Sequence, residues 1–164
     1  MEKKVVIIEF SKVDLAYGWL GNMYGSQIKY NGKDWKTSEA LFQSLRFEDE
    51  GIIELIRGEK SPMAAKMKAK GNKKSMVIEP MSEKDIENMK MVVRMKFDQN
   101  PVLKSKLKIS GEHKIVENIG NRNGERHFFW GMKKINGEWV GNNMMGKILM
   151  EVRRELIAND LKKQ

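Results

Sequence analysis

The sequence predicts a single compact α+β domain over residues 1–164, mainly helical with a small β-sheet and hairpins. Three observations carry this prediction. Asn-Gly dipeptides stand twice between extended arms, helix-capping residues repeatedly precede apolar residues at helical spacing, and no Ser/Gly/Pro-rich linker divides the elements. A chain of 164 residues is long enough to bury roughly two thirds of the surface its unfolded form exposes, without a disulfide or metal staple.

The elements follow in order. VVIIEF, 5–10, is short and β-branched, as a buried strand is. IKYNGKDW, 28–35, places Asn31-Gly32 at a two-residue hairpin turn. Thr37 or Ser38 caps a helix expected to run into the fifties, and Ser61-Pro62 pairs a cap with proline at the first helical position. Ser82 caps another helix, along which Ile86, Met89, Val93 and Phe97 recur at helical spacing. Asn100-Pro101 opens a short helix, and KIVEN, 114–118, reads as a strand. KINGEWV, 134–140, repeats the hairpin grammar around Asn136-Gly137. A final helix from about Asn143 buries Met145, Ile148 or Leu149, Val152 and Leu156.

Composition narrows the function classes. With no cysteine, zinc-thiolate sites, redox pairs and thiol nucleophiles are excluded, and two histidines, His113 and His127, argue against a histidine-rich metal centre. The apolar run near the start is too short for a signal-peptide core or a membrane span, so a soluble cytoplasmic protein is expected. The net charge of +9 and pI near 9.6 favour anionic partners such as nucleic acid, nucleotides or phosphorylated metabolites. The densest basic stretch, KMKAKGNKK at 66–74, has no interleaved aromatic residues and reads equally as a solvated face.

Glu39, Gln43 and Arg46 follow the i, i+4, i+7 spacing of one helical stripe, so a carboxylate, an amide and a cation point the same way. An acid in a first helical turn is also favoured by the backbone dipole alone. The four tryptophans, Trp19, Trp35, Trp130 and Trp139, sit beside Gly or polar residues, where a ring can stack a nucleobase or simply pack. GNNMMGKI, 141–148, nearly spells a phosphate-binding loop. Ile148, however, stands where a magnesium-binding hydroxyl belongs, so an NTPase is rejected and either an anion site at a helix start or an ordinary Asn cap is left. No G-x-S-x-G or H-E-x-x-H pattern appears.

Taken together, GWLGNMY (18–24), NGKDWKTSEALFQSLRF (31–47), SPMAAKMKAKGN (61–72), MKMVVRMKFDQNPVLKSKL (89–107), KIVEN (114–118), FWG (129–131) and VGNNMMGKILMEVRREL (140–156) resemble, in collinear order, the NADAR family, also called YbiA-like. The resemblance implies an N-glycosidase that hydrolyses a bond between a ribose carbon and an amine nitrogen. The substrates it implies are an ADP-ribose-type or phosphorylated ribosyl small molecule, such as an early riboflavin-pathway intermediate, or ADP-ribose attached to guanine in nucleic acid. No cofactor, metal or membrane is implied, although a magnesium ion can ride on a pyrophosphate. By the same resemblance Glu39 faces the anomeric carbon, Asn22 and Asn143 contact ribose or phosphate, Trp130-Gly131 lies near the base or ribose, Trp35 walls the pocket, and Gln43 lies on the substrate side. Three departures stand out: Ala40 follows Glu39 where the family commonly has histidine, Arg46 replaces a lysine thought in some members to attack the sugar carbon, and His127 replaces an acid. Arginine cannot be such a nucleophile, but Arg46 can still bind a phosphate or stabilise a leaving group. Either Glu39 and water suffice, or Lys90 or Lys96 substitutes, or the chain is a lapsed enzyme that sequesters an ADP-ribose-like nucleotide.

Overall fold

A computed structural model describes residues 6–164. In chain order its elements are β1 (Ile7–Phe10), β2 (Ile28–Tyr30), β3 (Lys33–Trp35), α1 (Ser38–Ser44), α2 (Glu50–Arg57), α3 (Pro62–Gly71), α4 (Glu83–Gln99), α5 (Pro101–Ile109), β4 (Lys114–Glu117), α6 (Glu125–Trp130), β5 (Lys133–Ile135), β6 (Glu138–Val140) and α7 (Met144–Lys162). Short 3-10 turns occur at Gly18–Leu20 and Lys73–Ser75. Helix outweighs strand, and the fold is α+β. Contacts group the described residues up to Gly21 with Pro101–Gln164 in one compact unit, and Asn22–Asn100 in another.

In the Asn22–Asn100 unit, β2 and β3 form the expected hairpin, with Ile28 opposite Trp35. The turn needs positive φ at both central residues, and Asn31 (49°) and Gly32 (75°) supply it. Thr37 caps α1, its hydroxyl accepting the Ala40 N–H at 3.1 Å. Every residue of α1 is buried, because β3, α2, α3 and α4 all pack against it. The expected helix into the fifties is in fact two. α1 stops after Ser44, and the carbonyl of Arg46 turns away to accept the N–H of Val77 at 2.8 Å. Asp49 then starts α2 afresh, accepting from the Ile52 N–H at 3.1 Å. Ser61 caps α3 with Pro62 inside its first turn, and Ser82 caps α4, whose buried face carries Met89, Val92, Val93 and Phe97; Ile86 is only half-buried.

In the other unit, β1 runs parallel to β4 with Ile8 opposite Ile115, and Ile8 and Phe10 point inward while Ile7 is exposed. Val5, the first residue of the expected strand, lies outside the described residues. α7 packs across β4 and buries Met145, Ile148, Leu149, Val152 and Leu156, as the spacing predicts. The closest approach is at Gly146, where a β-carbon would lie 2.3 Å from the Ile115 carbonyl oxygen. β5 and β6 form the second hairpin over Asn136 (φ 51°) and Gly137 (φ 82°). α6 was not anticipated: Gly124, at φ 103°, starts it without any side-chain cap. Among the described residues no helix is long and apolar enough to cross a membrane.

Candidate active site

Glu39, Gln43 and Arg46 do meet, although Arg46 lies just beyond the end of α1 rather than on a continuing helix. Gln43 Nε2 donates to Glu39 Oε1 at 2.9 Å, and Arg46 Nη1 donates to Gln43 Oε1 at 3.1 Å. The chain of bonds ends on Asp85 of α4, which takes Arg46 Nε at 2.9 Å and Nη2 at 2.8 Å in a two-pronged ion pair. All four side chains are buried, and the Phe42 ring lies 4.7 Å from the guanidinium carbon. The logic is electrostatic. A buried guanidinium must be paired, Asp85 pairs it, and the donor left over fixes the Gln43 amide so that its NH2 faces Glu39. Glu39 keeps 8% exposure, and among the described residues nothing bonds its second oxygen, Oε2. One edge of this carboxylate is therefore held, and the other is available to a ligand or water.

Asn22 stands at the start of the same helix. Its carbonyl accepts the Glu39 N–H at 3.1 Å, its Oδ1 accepts from the Ser38 hydroxyl at 3.0 Å, and its Nδ2 meets the Met89 sulfur of α4 at 3.1 Å. It thus ties the Glu39 end of α1 to α4. Farther along α4, Lys96 is 1% exposed, with Nζ 5.9 Å from the centre of the Tyr24 ring and 5.3 Å from that of Phe97. Desolvation lowers its pKa to about 7. Trp35, in β3, is 3% exposed, and its buried Nε1–H has no partner among the described residues.

The remaining expected residues, Trp130, Gly131 and Asn143, lie together in the other unit. Trp130 ends α6 and stacks edge-on against Phe129 at 4.9 Å, and the Gly131 carbonyl accepts the Asn143 N–H at 3.1 Å. Asn143 stands at the N-cap position of α7, but its side chain makes no capping bond. It sits in the left-handed region at φ 51°, its Oδ1 accepting the Glu117 N–H at 3.1 Å and its Nδ2 donating to the Ile115 carbonyl at 2.9 Å. Both ends of that amide are spent on β4, as a bracket between α7 and the strand. Gly131 allows equally close packing, since a β-carbon there would come within 2.6 Å of the Glu117 carbonyl oxygen and 3.1 Å of its carboxylate. A cleft of about 460 Å³ in this unit is lined by Glu125, Phe128, Phe129, Val140, Gly141 and Asn142. Among the described residues no cluster of three or more His, Asp or Glu side chains is placed to hold a metal.

Asp85 and Glu117 were missed from the sequence. The one available signal for Asp85 was S-x-x-D at 82–85, a capping pattern. The cap does form, with the Asp85 N–H reaching the Ser82 hydroxyl at 3.3 Å, but the carboxylate itself is spent on Arg46 and on the Met81 N–H. Glu117 ends a strand and carries no local signature.

The fold is shared with a known protein structure. A family model described as the NADAR domain matches residues 9–157. The N-glycosidase YbiA of Escherichia coli (strain K12) is 34% identical over 150 residues, which covers 92% of this chain and 88% of that protein. The riboflavin biosynthesis protein VVA0006 of Vibrio vulnificus (strain YJ016) is 30% identical over 155 residues, 91% of this chain but 38% of the longer protein. The NMR structure of E. coli YbiA superposes with a TM-score of 0.82 at 31% identity, over 98% of this chain and 90% of that one. With the matched region spanning nearly every element described above, the chain belongs to the NADAR domain family.

Proposed function

We propose that this protein is an N-glycosidase that hydrolyses the bond between a ribose carbon and an amine nitrogen in an ADP-ribose-type or ribosyl-phosphate substrate. The observation that carries the reading is Glu39, a nearly enclosed carboxylate gripped on Oε1 by Gln43 and open on Oε2. Cleavage of an N-glycosidic bond builds positive charge on the sugar carbon and its ring oxygen. A fixed carboxylate stabilises that charge or takes the proton of an attacking water, and its prior immobilisation removes reorganisation from the barrier. The relatives named N-glycosidase YbiA support the reaction class, and the relative named for riboflavin biosynthesis supports a ribosyl small molecule. The excess of 31 basic over 22 acidic residues suits a phosphorylated substrate, or ADP-ribose carried on guanine in nucleic acid.

A second reading, a binding protein that sequesters an ADP-ribose-like nucleotide, is favoured by one observation. Arg46 stands where the resemblance implies a lysine, and its guanidinium is committed to Asp85 and Gln43. One experiment separates the two. Wild-type protein and a Glu39→Gln variant are incubated with guanine-ADP-ribosylated DNA, and separately with a phosphorylated ribosyl-amine precursor of riboflavin, and release is followed by mass spectrometry. Glycosidase action predicts multiple turnovers in the wild type and a loss of about 10²–10⁴-fold in the variant. Stoichiometric retention of intact ligand by both proteins would instead establish the binder, and full activity in the variant would remove the role of Glu39.

A further inference from the structure

The cleft of about 460 Å³ beside α6 has no task in the glycosidase reading, and its size is that of a small-molecule site. One wall is a face of α6, where Glu125, Phe128 and Phe129 stand at i, i+3 and i+4 and so point the same way. The other is the turn from β6 into α7, Val140 to Asn142. Phe128, Phe129 and Trp130 follow one another, yet no residue of α6 is buried. Large aromatic side chains ordinarily go to the core, so a run of three left half-open marks a surface with another use.

The walls are fixed to each other by the backbone. The Phe128 carbonyl accepts the Asn142 N–H at 2.7 Å and the Gly131 carbonyl accepts the Asn143 N–H at 3.1 Å, which ties the end of α6 to the turn. Gly141 makes that approach possible. At φ 132° it holds a conformation that side chains rarely adopt, and a β-carbon there would lie 2.4 Å from the Gly131 oxygen. Two polar side chains stand on opposite walls, the Glu125 carboxylate and the Asn142 amide, and neither side chain has a hydrogen-bond or ionic partner among the described residues. A cation stands nearby, with Lys133 Nζ 5.4 Å from the centre of the Phe128 ring, so the carboxylate does not give the cleft an unopposed negative charge.

This lining specifies a ligand by its chemistry. Phenylalanine rings take a flat ring by stacking. A carboxylate accepts two parallel N–H groups, and a carboxamide donates to a carbonyl oxygen. The ring edge that presents a carbonyl oxygen, a ring N–H and an amino group in a row is that of guanine. We infer that the cleft is a guanine-binding site, in which the base stacks on Phe128 and Phe129, donates its ring N–H and amino group to Glu125, and accepts from the Asn142 amide at its carbonyl oxygen. Adenine would turn a bare ring nitrogen toward the carboxylate, acceptor against acceptor. On the glycosidase reading, such a site selects guanine-bearing ligands, which a carboxylate that only stabilises charge on a sugar carbon cannot do.

The test is an NMR titration of isotope-labelled protein with guanosine monophosphate and with inosine monophosphate, which lacks only the amino group. The expected result is saturable shifts at the amides of residues 124–131 and 140–142. Guanosine monophosphate should bind about 10-fold or more tightly than inosine monophosphate, the weight of one hydrogen bond to a charged acceptor. Glu125→Ala, at an exposed position, should bring the two nucleotides within about 3-fold of each other. Phe129→Ala should weaken both by about 10-fold. The site is overturned by no saturation up to about 10 mM, by shifts confined to other amides, by equal binding of the two nucleotides, or by a preference that survives in Glu125→Ala. A thymidine octamer with one central guanine then identifies the source: tighter binding than guanosine monophosphate assigns the cleft to a base in a strand, and weaker binding to a free nucleotide. Binding is read without turnover, so its failure leaves the glycosidase reading intact, and a protein inert on both substrates leaves the site to be decided by the titration.

Discussion

Replacing Lys96 by methionine should change how stability depends on pH, in a direction fixed by linkage. The folded protein holds Lys96 near pKa 7, against an ordinary value of 10.5, because burial disfavours the charged form. Between those values the unfolded chain carries a proton on this side chain that the folded chain lacks, so stability rises with pH across that window and the penalty is complete below pH 7. Each pH unit inside the window is worth about 1.4 kcal/mol, and the full penalty is on the order of 5 kcal/mol. Half-titration near pH 7 trims the slope at the lower end. The methionine variant, relieved of the penalty, should therefore gain about 2 kcal/mol relative to wild type as pH falls from about 9 to 7, equivalent to roughly 4–8 °C in melting temperature for a chain of this size. Urea titrations of both proteins at several pH values, followed by the fluorescence of the four tryptophans, measure it. Taking the difference between the two proteins cancels the titration of other groups. Two curves that stay parallel across the window would refute the claim that Lys96 is held close to neutral.

Other perturbations test the rest of the framework. Asp85→Asn leaves the Arg46 guanidinium buried without its counter-charge and should cost about 3–5 kcal/mol in urea unfolding; a cost under 1 kcal/mol would mean that solvent reaches the pair. Arg46→Lys should lower turnover, because a single ammonium cannot grip both Asp85 oxygens and still orient Gln43, whereas a large gain in turnover would mark a lapsed enzyme restored. Gly146→Ala should destabilise by about 1–3 kcal/mol or more in thermal unfolding, since the added carbon would lie 2.3 Å from the Ile115 oxygen and 2.4 Å from the Asn143 amide nitrogen.

What the sequence disclosed tracks how local each cause is. The two Asn-Gly hairpins and the Thr37, Ser61 and Ser82 caps are settled within a few residues, by positive φ and by side-chain oxygens meeting free N–H groups, and all were legible, the first cap to within Thr37 or Ser38. The break after Ser44 was not, because its cause lies in Val77, which takes the Arg46 carbonyl, and in Asp85, which takes the Arg46 side chain. α6 escaped for the opposite reason: it starts at Gly124 without a side-chain cap, so no start signal exists to read. At the candidate site, the stripe of Glu39, Gln43 and Arg46 was visible from spacing, but the direction of the hydrogen bonds through it was not. That direction depends on Asp85, whose motif announced only a cap. Asn143 shows how a motif can be ambiguous in kind. A Gly/Asn-rich turn before a helix signals a cap or an anion site, and here the side chain is spent bracing α7 against β4.

Arginine at position 46, where the resemblance implies a lysine, has a physical reading that joins these pieces. A lysine presents one ammonium and has to choose between a structural partner and a substrate, while an arginine presents a fork whose separate donors serve Asp85 and Gln43 at once. Arg46 is thereby fixed as a brace that holds Gln43 and, through it, Glu39. A lysine at 46 weakens the brace, so the double variant Arg46→Lys with Gln43→Ala, in which the link to Glu39 is already gone, should be no less active than Gln43→Ala alone. A double variant markedly less active would show that position 46 acts on the substrate directly and not through Gln43.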